Sequence, residues 1–504
     1  AATVSTGLGQ LEAVINGGTL GSISLTGTGV NPMLSFDGVE LVMNATNVTG
    51  AIKVTSQTGA RVDLAGVSAA SLSITGGRFG GVDVTASGGT VNFTTGGITV
   101  RGGVSNLFVS PGITLDAAGD IALLATDGNF VQVNSGQLIA RNVRLTSSQG
   151  AAALGSAFIV TGSGNAAVDA DIILTGRATD CVIIGSAVTA RNLKLTGSSS
   201  ATHLQNGVPT AILNLTGAMT LRAPFAQIDL LVGSLSATGN VSVSASAVVG
   251  LNAASGTTLD VGGTLSLNAG SGEANIQFDG ALLQVDRDLT VKGAQSGALS
   301  ITPSAVSTIA RHATFTLGTD DDVLTVNSNV AVQGNLTVNA GAGNNSVTLG
   351  TTAANFAVGG NLVVTALGGD ELITLNRPVV TGTTRVTTGA GADLLQMNGP
   401  ATFTGAVTID LGAGDDTWNA ANDTGTTSGP VTFTGTVSAK LGAGNDTLRL
   451  GLSLASGGNL NTRVNFTDSL SNKIDGGSGL NFYDDEAAQF GGTVAIVNVT
   501  DPTP

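Results

Sequence analysis

A short strand-like phrase returns through most of this chain at a nearly constant interval, and that recurrence limits the possible folds more than any other feature. It reads DIAL from Asp120, NVRL from Asn142, NLKL from Asn192, AMTL from Ala218, NVSV from Asn240 and TLSL from Thr264. It continues as DLTV from Asp288, HATF from His312, NLTV from Asn335, NLVV from Asn361, TTRV from Thr383, AVTI from Ala406 and TVSA from Thr436. From Asn192 onward the starts are 22 to 30 residues apart, and most lie near 24. A period in this range predicts a solenoid, in which each repeat buries its apolar face only by stacking on its neighbours. Leucine-rich repeats share the length, but their fixed leucine spacing is missing; propeller blades need about 40 residues.

Within one repeat, DIALLATDGNFVQVNSGQLIAR, three short alternating runs are separated by TDGN and NSG. Three strands per coil predict an all-β parallel β-helix, with coils of about 24 residues and roughly 20 coils in the 504-residue chain. At the usual strand spacing such a stack is a rod on the order of 100 Å long. The middle residue of the phrase is mostly polar or charged (Arg144, Lys194, Thr220, Thr314, Arg385, Ser438), so it faces outward. Its flanks, such as Val143 and Leu145 or Leu336 and Val338, face inward. The first position of the phrase, just before the strand, holds Asp120, Asn142, Asn192, Asn240, Asp288, Asn335 and Asn361, which suits a corner. His312 takes that corner position in its own coil, and His203 stands alone in SATHLQNG as a loop residue. The expected organisation is a cap with irregular first coils over 1–70, a regular solenoid over 71–450 and a cap or docking segment over 451–504.

Composition agrees with glycine-cornered strands: 74 glycines, 11% charged and 3% aromatic residues. The net charge is −15, and the 19 Lys and Arg occur singly, so no basic run is present to neutralise the phosphates of nucleic acid. No apolar run approaches the roughly 20 residues of a membrane helix, so no transmembrane segment is expected. The lone cysteine, Cys181, has no intrachain partner and reads as a buried thiol. The sequence opens on AATVSTG, which suits an exported, extracellular or cell-surface protein whose signal peptide has been removed.

A glycine–acid phrase follows the strand phrase in the later coils, as LGAGDDTWNA from Leu411 and LGAGNDTLRL from Leu441; the coils from 318 to 450 share this acid-rich corner. Aligned on its last polar residue it gives Asp322, Asn345, Glu371, Asp393, Asp416 and Asp446, spaced 23, 26, 22, 23 and 30 residues apart. Stacked corners would place these groups about 5 Å apart along one edge. Like charges at that spacing repel unless solvent, interleaved Asn or a divalent cation relieves them, and oxygen donors suit Ca²⁺. The phrase resembles the GGxGxDxUx nonapeptide of RTX calcium-binding repeats, with Leu411 and Leu441 in place of the first glycine; GGSGLNFYD from Gly476 fits more closely, with Asn481 in place of Asp. RTX ligands come from repeats nine residues apart, whereas this chain has one copy per coil. A structural corner and a Ca²⁺ ladder over Asp322, Asn345, Glu371, Asp393, Asp416, Asp446 and Asn481 both remain open on the sequence.

Over most of its length the chain resembles bacterial surface β-helices, the autotransporter passengers and filamentous-haemagglutinin-type exoproteins. That resemblance implies a structural, self-assembling protein of the cell surface: a surface-layer, fibre or stalk subunit, adhesive in some members, whose partners are copies of itself and cell-surface polysaccharide. A polysaccharide lyase or hydrolase is the alternative. Arg144, Arg191 and Lys194 supply bases on one stretch of face, but few acids accompany them, and Trp418 and Tyr483 are the only Trp and Tyr that could form sugar platforms. A threonine-laddered ice-binding solenoid is a third class, weakened by the Arg, Lys and Val in the outward column.

Overall fold

The computed structural model describes the chain except residues 1, 7–10, 29–37, 79, 134–135, 148–155, 162–164, 184–186, 199–200, 207–211, 232, 294–297, 422–428, 452–462, 468–470, 485–487, 491–493 and 500–504. It forms two compact units, Ala1–Ala245 and Ser246–Pro504. Each is a parallel β-solenoid with three strands per coil, and the described residues contain no helix.

One coil of the second unit shows the plan. Val407–Asp410 lies in the first sheet, Thr417–Ala420 in the second and Val431–Phe433 in the third. Each pairs in parallel with the equivalent strand one coil on: Val407 with Val437, Thr417 with Thr447 and Val431 with Val464. The cause is local. Alternating apolar and small polar residues favour extended backbone, and each alternation buries one side of the strand. Val407 and Ile409, Trp418 and Ala420, and Val431 and Phe433 all point into the core, while Thr408 and Ser438 point out. The period-2 reading of the phrase therefore holds on both its inward and outward positions.

The interior is filled by like residues stacked at the coil spacing. Phe403, Phe433 and Phe466 form a column, with ring centroids 5.2 and 5.3 Å apart and interplanar angles of 16° and 26°. Trp418 meets Phe433 edge-on at 6.4 Å. Stacking of this kind adds ring–ring attraction to the burial of large apolar surfaces. Trp418 and Tyr483 are both buried, so neither is a platform for sugar. The strand around Cys181 belongs to the second sheet of the first unit, but its side chain lies outside the described residues.

Candidate functional site

Two corners carry side-chain ladders. The first lies between the third and first sheets, at the Asn/Asp position that opens the strand phrase. The side chain of one coil accepts a backbone N–H from the next: Asp171 N–H to Asn142 Oδ1 at 2.9 Å, Ala218 N–H to Asn192 Oδ1 at 2.7 Å, and Asn361 N–H to Asn335 Oδ1 at 2.9 Å. His312 performs the same task with its ring, since Nδ1 accepts Asn335 N–H at 3.0 Å. This fixes Nδ1 as unprotonated and explains why a histidine fits a column of Asn and Asp. Arginines preceding this column reach the acid of the coil before: Arg141 to Asp120 at 2.8 Å, Arg191 to Asp171 at 3.1 Å and Arg311 to Asp288 at 3.8 Å. Arg141 and an Asn142 amide hold the Asp120 carboxyl below its usual range.

The second ladder is the glycine–acid corner between the first and second sheets. Its backbone requires left-handed glycines: Gly412 at φ +94°, Gly442 at φ +120° and Gly477 at φ +82°. A methyl group at Gly412 would also overlap the Gly389 carbonyl of the coil below. The corner alanines bridge from coil to coil, Ala390 to Ala413 to Ala443 to Ser478. The seven residues singled out in the sequence do form one column, but it turns inward. Asp322, Asn345, Glu371, Asp393, Asp416, Asp446 and Asn481 are all at most 2% exposed.

Asp322 accepts Gly318 N–H of its own corner at 2.9 Å, and from Asn345 onward each side chain accepts the backbone N–H of the column residue one coil earlier. Asp322 N–H bonds Asn345 Oδ1 at 3.0 Å, and Asn345 N–H bonds Glu371 Oε2 at 3.3 Å. Glu371 N–H bonds Asp393 Oδ1 at 2.9 Å, Asp393 N–H bonds Asp416 Oδ1 at 2.9 Å, and Asp416 N–H bonds Asp446 Oδ1 at 3.0 Å. Asp446 N–H closes the series on Asn481 Oδ1 at 2.8 Å. The residue just before each column member faces out and ladders in the opposite sense: Asn344 N–H bonds Asp321 Oδ1, Asp370 N–H bonds Asn344 Oδ1, and Asn445 N–H bonds Asp415 Oδ1, at 2.7, 2.8 and 2.8 Å.

The second carboxylate oxygens behave differently. Asp393 Oδ2, Asp416 Oδ2 and Asp446 Oδ2 are buried without a hydrogen-bond partner on three successive coils. Burial pushes Glu371 and Asp416 up to about 7 and raises Asp393 and Asp446 as well; the Asn345 side-chain amide at Glu371 and the backbone donors along the column only partly offset it. Among the described residues no three His, Cys, Asp or Glu side chains converge on one point. The column thus offers one side chain per coil rather than a cluster.

One constellation escaped the sequence. His203 is not a loop residue; it lies in the strand Ala201–Asn206, and its Nε2 is 2.5 Å from Asp229 Oδ2 of the next coil. Gln227 Nε2 donates to Asp229 Oδ1 at 2.8 Å. Only the register between coils, which pairs His203 with Gln227 and Gln205 with Asp229, reveals this pair.

These features define a parallel β-solenoid whose corners are tied coil to coil by side-chain ladders. No family model, curated protein or solved structure matches the chain.

Proposed function

We propose that this chain is a structural, self-assembling solenoid of the bacterial cell surface, extracellular in location, acting as a surface-layer, fibre or stalk subunit rather than an enzyme. The observation that carries this reading is the pair of corner ladders, in which recurring Asn and Asp side chains join one coil to the next. A scaffold needs that axial cohesion; a catalytic groove needs loops and convergent polar groups raised above the coils. Sedimentation velocity on the purified chain tests it. Species larger than the monomer are expected, and a persistent monomer that cleaves acidic polysaccharide would point to the lyase or hydrolase instead.

A second reading, of ion content, is favoured by the three unpartnered oxygens. Asp393, Asp416 and Asp446 have the hard oxygen chemistry that Ca²⁺ prefers, and each offers a buried Oδ2 that the protein itself does not satisfy. In this reading the ion supplies charge neutralisation along the corner and stiffens it. Titration calorimetry at pH 8 is expected to detect Ca²⁺ uptake that disappears in the Asp393→Asn/Asp416→Asn/Asp446→Asn variant. No heat of binding and no chelator-induced fall in melting temperature would remove the ion.

A further inference from the structure

The acidic balance of the chain hides one basic face. In the first unit the outward residues of the first sheet form two adjacent rows, fixed by the strand register. One runs Lys53, Ser73, Thr99, Ala122, Arg144, Ile173, Lys194, Thr220. The other runs Thr55, Thr75, Arg101, Leu124, Thr146, Thr175, Thr196, Arg222, two residues further along each strand. Neither row contains an Asp or Glu, and all five cations are exposed. They recur on every second coil from Lys53 through Arg101 and Arg144 to Lys194, with Arg222 on the coil after that. Asp120 and Asp171, at the adjoining corner, are engaged by Arg141 and Arg191.

We propose that this face binds a linear acidic polysaccharide, lying along the solenoid axis with its carboxylates on Lys53, Arg101, Arg144 and Lys194. Two coils advance roughly 10 Å, which matches one charge per disaccharide of an extended chain rather than one per nucleotide. The intervening coils present Ser73 and Thr75, Ala122 and Leu124, then Ile173 and Thr175. Hydroxyls and small apolar groups suit the hydroxyls and C–H faces of the uncharged units between. The rows offer no aromatic side chain on which a nucleobase would stack, and this favours the glycan over single-stranded nucleic acid. Charge complementarity selects the occupant, and the inference rests on the cell-surface reading above for where such a polymer would be met.

The test is fluorescence anisotropy of the full chain with labelled oligomers of an alternating uronate and neutral-sugar chain, hyaluronan, at low and moderate salt. Binding that weakens steeply with salt is expected. It should fall about tenfold or more in the Arg101→Gln/Arg144→Gln/Lys194→Gln variant, and be unchanged in Arg385→Gln/Arg449→Gln, which lies in the second unit. Circular dichroism and melting confirm that both variants fold, since all five substitutions are at exposed positions. Equal binding of the triple variant, or of a carboxyl-reduced oligomer, would overturn the proposal, and single-stranded DNA bound as tightly as the uronate would overturn the choice of ligand class. Sedimentation of the same samples separates the two ideas: a triple variant that assembles without binding supports both readings, and a monomer that binds keeps this one while sinking the scaffold.

Discussion

Asn345 and Asn481 show what the buried acid column does for the fold. They occupy the same positions as Asp393, Asp416 and Asp446 and use the same Oδ1 to accept the same backbone N–H, so the shared requirement is an acceptor of this reach, not a charge. Asp416→Asn therefore keeps the bond from Asp393 N–H and is expected to melt no lower than the parent in chelator at pH 8. Asp416→Ala leaves that buried N–H unpaired and should cost about 1–3 kcal/mol in a denaturant titration. Charge makes itself felt through pH. Glu371 and Asp416 titrate at about 7 in the folded chain against ordinary values of 4.5 and 3.8, because burial disfavours the carboxylate. A raised carboxyl binds protons more tightly folded than unfolded, so its stabilising contribution is complete below about pH 4 and is lost as pH rises through 7. Melting temperature in chelator should thus fall between pH 5 and pH 8, and a flat or rising profile would contradict the burial of these groups as carboxylates.

At the scale of the element, the strands were legible and the corners only partly so. Period-2 alternation over Leu336–Ala342 or Val407–Asp410 identifies inward and outward residues because burial on a pleated strand follows parity. The acid corner obeys a rule the repeat spacing obscures. Ala313 to Asp322, Leu336 to Asn345, Leu362 to Glu371, Val407 to Asp416 and Val437 to Asp446 are all the same distance along the chain, so variation in coil length falls elsewhere. Which way the acid faces was not legible, since DD and ND offer two adjacent polar residues, and only the turn geometry sends the first outward and the second inward. Arg144 and Lys194 were legible on one face, but His203 with Asp229, and the extension of the basic rows to Lys53, Arg101 and Arg222, were hidden for a related reason: they depend on registers between residues twenty or more positions apart. Gly412 tests the corner itself. Gly412→Ala needs a left-handed Cβ that also meets the Gly389 carbonyl, and is expected to destabilise the second unit by about 3 kcal/mol or more, read by thermal or urea unfolding.

At the scale of the whole molecule, the three-strand coil and its period of about 24 residues were legible because the solenoid writes its repeat directly into the sequence. What the coils are used for was not, because a corner that joins coils and a corner that holds an ion draw on the same glycines and acids. The composition of the two units differs in a way that bears on this: residues 1–245 carry 10 Lys and Arg with 12 Asp and Glu, and residues 246–504 carry 9 with 22. On the proposed reading, the exposed basic rows of the first unit meet an anionic polymer, while the acid corner of the second is buried and serves to join its coils. Negative-stain electron microscopy of the purified full chain, in calcium and in chelator, tests the scaffold account most directly. Ordered filaments or sheets are the predicted result, and dispersed single particles in both conditions would contradict it.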